Sequence, residues 1–188
     1  LASSAASDVY KRQPIDKRVA TALIYGICTD TMGLTRGVTD KDVDTYSYLF
    51  KIADKQILKA LEHCSISIDD LKAYANAINS IKVCDNVSFA NTGSNCPEAL
   101  IASISDFMLD LIEVDFSVVY SLKKEGIKIS VRSMGKYNAG RITNKALSGI
   151  GCGGGHEVMA GGFVPLKEGE RDIDAVIGDI QERFLRAM

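Results

Sequence analysis

The sequence predicts an α/β protein, mostly helical over its first eighty residues and alternating strand with helix thereafter. Three observations predict it. Apolar residues recur at helical spacing in successive stretches before Ser80. Two stretches of period two then flank Lys123-Lys124-Glu125-Gly126, which is a hairpin signal. Finally, seven of the sixteen glycines fall between Gly149 and Gly162. No helix or ordinary strand chooses that composition, because each glycine costs conformational entropy on ordering.

Asp16 is a suitable N-cap for a helix over Lys17 to Cys28, with Val19, Ala20, Leu23, Ile24 and Ile27 apolar. Thr39 or Asp40 caps a second helix through Ala53, carrying Val43, Tyr46, Tyr48, Leu49, Phe50 and Ile52. A short helix fits Lys55 to His63, with Ile57, Leu58 and Leu61 on one face and His63 structural near its positive-seeking end. Ile68 to Ile81 reads as a further helix with Leu71, Tyr74, Ala75 and Ile78 at helical spacing. Lys82 to Ala90 reads as a strand and Asn91 to Asn95 as a loop. Pro97 and Glu98 suit the first turn of a helix to about Ile112, whose stripe is Leu100, Ile104, Phe107, Met108 and Leu111. Phe116 to Leu122 and Ile127 to Ser133 are the hairpin strands. Asn138 to Ser148 is a short helix with Ile142, Ala146 and Leu147 inward, and Gly162 to Leu166 a further strand. Asp172 to Ala187 is an amphipathic helix burying Ile173, Val176, Ile177, Ile180 and Phe184.

At 188 residues, with 46% hydrophobic and 24% charged residues, the chain can bury a sizeable core in one or two domains. It has no apolar run near the 18 residues of a membrane span and no signal-peptide pattern. Five scattered cysteines without paired spacing argue for reduced, cytoplasmic thiols and against a zinc site. With two histidines in all, a histidine-rich metal centre is excluded within the chain. A net charge of −2 does not advertise nucleic-acid binding. Its distribution is less neutral: Lys123, Lys124, Lys128, Arg132, Lys136, Arg141 and Lys145 stand against Glu125 alone between Ser121 and Gly149. That excess suits an anionic ligand, or a solvated face.

The glycine run Gly149-Ile150-Gly151-Cys152-Gly153-Gly154-Gly155-His156 has two readings from composition. Consecutive exposed N–H groups make a concavity for phosphate, to which His156 adds a donor or a proton. Alternatively, the run is a tight turn between packed elements. In the strand before it, alternation puts Ile127, Ile129 and Val131 on one face and Lys128, Ser130 and Arg132 on the other. The planar fork of Arg132 suits bidentate phosphate recognition. At Thr29-Asp30-Thr31, the Asp30 carboxylate is presented at a helix end, where it caps or ligates a hard cation.

Gly-Gly-Gly-His-x-x-x-Ala-Gly, preceded by Ile129-Ser130-Val131-Arg132-Ser133, resembles the C-terminal associated domain of DHH-family phosphoesterases. Ala20 to Thr31, ending in Thr-Asp-Thr, is similar to the last metal-binding motif of the DHH domain. The resemblance spans Pro14 to Met188. It implies the C-terminal remnant of a DHH domain plus connecting helices over 14–80, then a mixed-sheet α/β associated domain over 81–188. It implies a manganese-dependent phosphoesterase (magnesium being the other candidate) acting on short oligonucleotides or pAp. It makes Asp30 a metal ligand, and makes Arg132, Ser133, Gly153, Gly154, Gly155 and His156 the substrate-binding residues, with Ser130 and Arg36 as weaker candidates. A cytoplasmic enzyme without membrane attachment is expected, and a homodimer is compatible with the family. Glu157-Val158-Met159 departs from the family's more basic sequence after the histidine and bears on substrate choice.

Asp8 to Gln13 reads as a translated transposon end, so residues 1–13 are expected to be foreign, or else a natural disordered tail. The Asp-His-His motif is absent from these 188 residues, and one aspartate cannot hold two ions. The chain by itself is therefore expected to be inactive and to belong to a longer enzyme. A different reading is a nucleic-acid or phosphate-binding module without catalysis.

Overall fold

The computed structural model describes residues 14–31, 33–35, 37–62, 66–166 and 172–188. The expectations for residues 1–13, Arg36 and His63 fall outside them. The chain divides into two compact units between Ser65 and Ile66.

In the first unit, α1 (Lys17–Asp30), α2 (Asp40–Phe50) and α3 (Lys55–Glu62) enclose Ala20, Ile24, Ile27, Leu49, Ala53 and Leu58. Asp16 caps α1 by accepting from the Arg18 N–H at 2.8 Å. Thr39 caps α2 in a capping box with Asp42. The Thr21 hydroxyl accepts from the Asp54 N–H at 2.9 Å, and Lys17 pairs with Asp54 at 2.7 Å. These two contacts tie the entry of α3 to α1. The expected apolar faces are only partly buried. Leu49 and Leu58 are inside, whereas Val43, Tyr48, Phe50, Ile57 and Leu61 are exposed. Helix α2 also ends at Phe50 rather than Ala53.

The second unit begins with α4 (Ile68–Ser80), then β1 (Lys82–Cys84), β2 (Val87–Ser94), α5 (Glu98–Leu109), β3 (Phe116–Lys123) and β4 (Gly126–Ser133). It continues with α6 (Ala139–Leu147), β5 (Cys152–Gly155), β6 (Met159–Pro165) and α7 (Ile173–Ala187). The strands form one mixed sheet in the order β1-β2-β3-β4-β6-β5, parallel at β2–β3 and antiparallel elsewhere. The α/β class with a mixed sheet is as the sequence predicts.

Four local readings are corrected. The strand expected over Lys82–Ala90 is a hairpin turning at Asp85-Asn86, with Asp85 at φ 54°, a conformation that Asp and Asn tolerate. The loop expected over Asn91–Asn95 is largely strand, because Asn91 and Ser94 pair with Tyr120 and Leu122 across an irregularity. On α4 the buried residues are Ala73 and Ala77, while Leu71, Ala75 and Ile78 are exposed. Small residues let α4 lie close on β2, and this packing places α4 with the sheet, so the break precedes it instead of falling at Ser80. On α5 the buried stripe is Ile101, Ile104, Ser105 and Met108, with Phe107 and Leu111 exposed.

Strand alternation builds two cores. Val87, Phe89, Phe116, Val118, Tyr120, Ile127, Ile129 and Val131 face α6 and α7, where Phe184 and Leu147 are fully buried. Ala90 and Val119 face α4 and α5. The first core is bulky, whereas the second combines the small Ala73, Ala77 and Ala90 with Ile101, Ile104 and Met108.

The glycine run is the main departure. Cys152–Gly155 is an edge strand, paired Gly153 to Gly162 and Gly154 to Gly161. Its glycines chiefly serve close approach. A Cβ on Gly153 would sit 2.8 Å from Thr143 Cγ2 and 2.9 Å from Leu147 Cδ1. One on Gly162 would overlap Leu147, and one on Gly140 would overlap the Gly155 carbonyl. Helix α6 therefore rests almost backbone to backbone on β5 and β6. Gly140→Ala is expected to destabilise the second unit by about 2 kcal/mol, the scale of overpacking a filled core. The check is a urea midpoint; an unchanged midpoint would show that the seam relaxes freely.

Candidate functional site

Arg132 leaves β4 on the face opposite Ile129 and Val131, and this face is covered by α5. Its Nε donates to Asp106 Oδ1 at 2.6 Å. Its Nη1 donates to Ser130 Oγ at 3.3 Å and to the Val131 carbonyl at 3.1 Å. Beneath it, the buried Ser105 hydroxyl lies 3.3 Å from Ser117 Oγ and donates to the Ser130 carbonyl at 3.4 Å. Lys128, two residues earlier on the same face, pairs with Glu98 at 3.0 Å.

Helix α5 packs on β2, β3 and β4, whereas α6 packs on β4, β5 and β6 from the other side. On the α5 face, the β4–β6–β5 rows place Ser130 beside Gly161 and Gly154, and Arg132 beside Met159. A Cβ on Gly154 would meet nothing within 4 Å, and one on Gly161 only the Ile129 carbonyl at 3.5 Å. The result is an open floor of peptide backbone between Met159 and Phe163, with an arginine at its edge. Such a floor lets a ligand approach the main chain closely, and the arginine suits an anion.

The expected site residues separate on this geometry. Arg132, Ser130 and Gly154 share the open face. Gly153 points to the other face, against α6, and Gly155 is packed under Gly140. These two therefore shape the strand instead of lining the floor. Ser133 is buried; its hydroxyl donates to the Tyr137 carbonyl at 2.7 Å and accepts from the Gly135 N–H at 3.2 Å. It builds the turn after Arg132. His156 is exposed in the β5–β6 turn, its N–H donating to the Met159 carbonyl at 2.7 Å and its carbonyl accepting from Gly140 at 2.8 Å. Asp30 is the exposed last residue of α1 and belongs to the first unit. Among the described residues no three His, Cys, Asp or Glu side chains gather as a metal group. The described residues thus do not make up a two-ion centre.

The basic stretch of the sequence is split by the fold. Lys128 and Arg132 lie on the α5 face. Lys136, Arg141 and Lys145 instead line an open pocket of about 490 Å³ along α6, together with Ala187 and Met188. Sequence reading missed Asp106, Met159, Gly161 and Phe163. A signal for Asp106 exists: Glu98 and Asp106 are eight residues apart on a helix, about 12 Å, and Lys128 and Arg132 four apart on a strand, about 13 Å.

A family match settles the lineage. Residues 69–184 match the DHHA1 domain, more than half of the chain. The chain belongs to the DHHA1 domain family. The DHHA1 match takes in α4 from its first turn, in line with its packing on the sheet. Cyclic-di-AMP phosphodiesterase PdeA of Listeria monocytogenes is 30% identical over 190 residues, covering 97% of this chain and 27% of that protein. The uncharacterized protein MJ1633 of Methanocaldococcus jannaschii is 30% identical over 152 residues, 80% of this chain and 31% of that protein. The chain thus spans about three-tenths of the length of these relatives. The crystal structure of an exopolyphosphatase-related protein from Bacteroides fragilis has the same fold, with a TM-score of 0.71 at 20% identity, covering 92% of this chain and 51% of that one. Among the described residues no helix is long and apolar enough to cross a membrane.

The DHHA1 turn that follows Arg132 is fixed by charge. Asp115 Oδ2 accepts from Lys136 Nζ at 2.9 Å and from Asn86 Nδ2 at 2.6 Å. The Met134 N–H donates to the Asp115 carbonyl at 3.0 Å. The Lys136 hydrogen bond, with Asn86 adding to it, holds the Asp115 carboxyl below its ordinary 3.8. The same pairing raises Lys136. A carboxyl whose folded pKa is depressed contributes stability above its unfolded pKa and loses it as pH falls through the folded value. The second unit should therefore weaken below about pH 4, and Asp115→Asn should flatten that acid limb. Urea midpoints from about pH 2 to 5 check this, and parallel limbs in the two proteins would refute it.

Proposed function

We propose that this chain is the substrate-phosphate-binding part of a metal-dependent phosphoesterase that hydrolyses short oligonucleotides or pAp. The observation that carries the reading is Arg132, held at the edge of the open floor over Gly154 and Gly161. Support comes from membership of the DHHA1 domain family and from a relative named as a cyclic-di-AMP phosphodiesterase.

In the proposed reaction a water oxygen attacks phosphorus in line, the bond from phosphorus to the leaving oxygen breaks, and that oxygen takes up a proton. Residues of this chain bind and orient. Arg132 neutralises the charge on non-bridging phosphate oxygens and donates to them from Nη2. Gly154 and Gly161 let the sugar–phosphate come down to the main chain, and His156 in the adjoining turn offers a donor. Asp30 is proposed as one ligand for manganese or magnesium. A two-ion centre needs several more carboxylate or imidazole ligands, and on this reading they lie outside the described residues. The 188-residue chain by itself then binds the phosphate without hydrolysing it, independently of manganese.

Calorimetric titration with pAp tests the binding half. Arg132→Ala should weaken binding about tenfold or more, and wild-type affinity should fall with salt. Affinity unchanged by Arg132→Ala removes that residue from the site.

Gly154→Leu separates floor from fold. Its Cβ meets nothing within 4 Å, so stability should stay within about 0.5 kcal/mol, while the side chain fills the floor and blocks pAp. Unimpaired binding by this variant would place the ligand elsewhere.

A further inference from the structure

We propose that Asp106 is a positioning residue, one that holds the Arg132 guanidinium in the orientation in which it receives phosphate. The inference rests on the reading of Arg132 as the phosphate ligand. It goes beyond that reading by assigning a role to a residue of α5, which carries neither the glycine run nor the Arg-Ser pair.

A guanidinium at the end of a long side chain has many rotamers, and a ligand that must freeze them loses affinity. Here the freezing is done in advance. Nε is held by Asp106, and Nη1 by Ser130 Oγ and the Val131 carbonyl. Three acceptors on two nitrogens fix the plane of the group. Nη2 alone has no partner among the described residues, so its two N–H bonds remain for a ligand. The Arg132 side chain is 17% exposed and Asp106 49%, so the carboxylate grips from the solvent side while the Nη2 end of the guanidinium stays open.

The placement follows from the match of spacings between α5 and β4. Glu98 meets Lys128 and Asp106 meets Arg132, two rungs between one helix and one strand. The rungs differ in consequence. Lys128 is a flexible point charge, whereas Arg132 is a planar fork whose direction matters. The Glu98–Lys128 rung is therefore a built-in control for a merely structural ion pair between the same two elements.

The test uses the 188-residue chain, pAp as probe, calorimetry for affinity, thermal midpoints, and the Nε–Hε NMR signal of Arg132. Asp106→Asn is expected to weaken pAp binding about tenfold and to broaden the Arg132 signal through exchange with water. Glu98→Gln should lower the thermal midpoint similarly but bind pAp as wild type does. Asp106→Glu, which keeps the charge, should bind within about threefold of wild type. In an Arg132→Ala background, Asp106→Asn should cost nothing further. If Arg132→Ala weakens binding but Asp106→Asn does not, or tightens it, the positioning role is overturned while the site stands. An Arg132 signal unaltered in Asp106→Asn overturns it too. If Asp106→Asn fails to fold, Asp106→Glu decides, and tenfold weaker binding there overturns the role. If Arg132→Ala itself binds normally, the site reading fails and the inference with it.

Discussion

The second unit depends on how closely α6 approaches β5 and β6. Gly140, Gly153 and Gly162 leave no Cβ between helix and strands; at each, an added methyl would come closer than ordinary contact distance to Leu147, Thr143 or the Gly155 carbonyl. Close packing of this kind gains dispersion contacts that are individually small and collectively large. It also leaves no room for adjustment. Because the seam fixes β5 at the sheet edge, it fixes the turn at His156, and because it uses one face of β5 and β6, it leaves the other face open.

The same glycine run thus does two jobs on two faces. Strand alternation sends Gly153 and Gly162 toward α6, while Gly154 and Gly161 look the opposite way, where α5 does not reach. A run of larger residues could meet one requirement at alternate positions but not both. The open face is bounded by Arg132, which α5 holds through Asp106, and by the turn that Asp115, Lys136 and Asn86 pin after Ser133. Binding chemistry and fold stability are in this way distributed over alternating residues of the same strands.

Much of this was legible in the residues. The β3–β4 hairpin declares itself through Lys123 to Gly126, and the face assignment of Ile129 against Arg132 follows from period two. The helix caps at Asp16 and Thr39 are local chemistry, each side chain meeting backbone within three residues. What misled was apolar periodicity read as burial. Leu71 and Ile78 look like the inward side of α4, yet Ala73 and Ala77 are inward, because a helix lying close to β2 needs small residues there. The loop reading of Asn91 to Asn95 failed similarly as far as Ser94, since Asn91 to Ser94 continue the strand, held by partners on β3 and, at Asn91, by Ser80.

The sequence by itself determined the α/β class, the succession of most elements, the family motifs and the polar face that carries Arg132. These rest on local periodicity, capping and composition, which neighbouring residues settle among themselves. Only the tertiary structure decided that the glycine run is an edge strand, that Gly153 and Gly154 serve opposite faces, that Ser133 is consumed in a turn, and that Asp106 grips Arg132. Each of these depends on which element lies across from which, and residues 26 positions apart, as Asp106 and Arg132 are, meet only once helix and strand are packed.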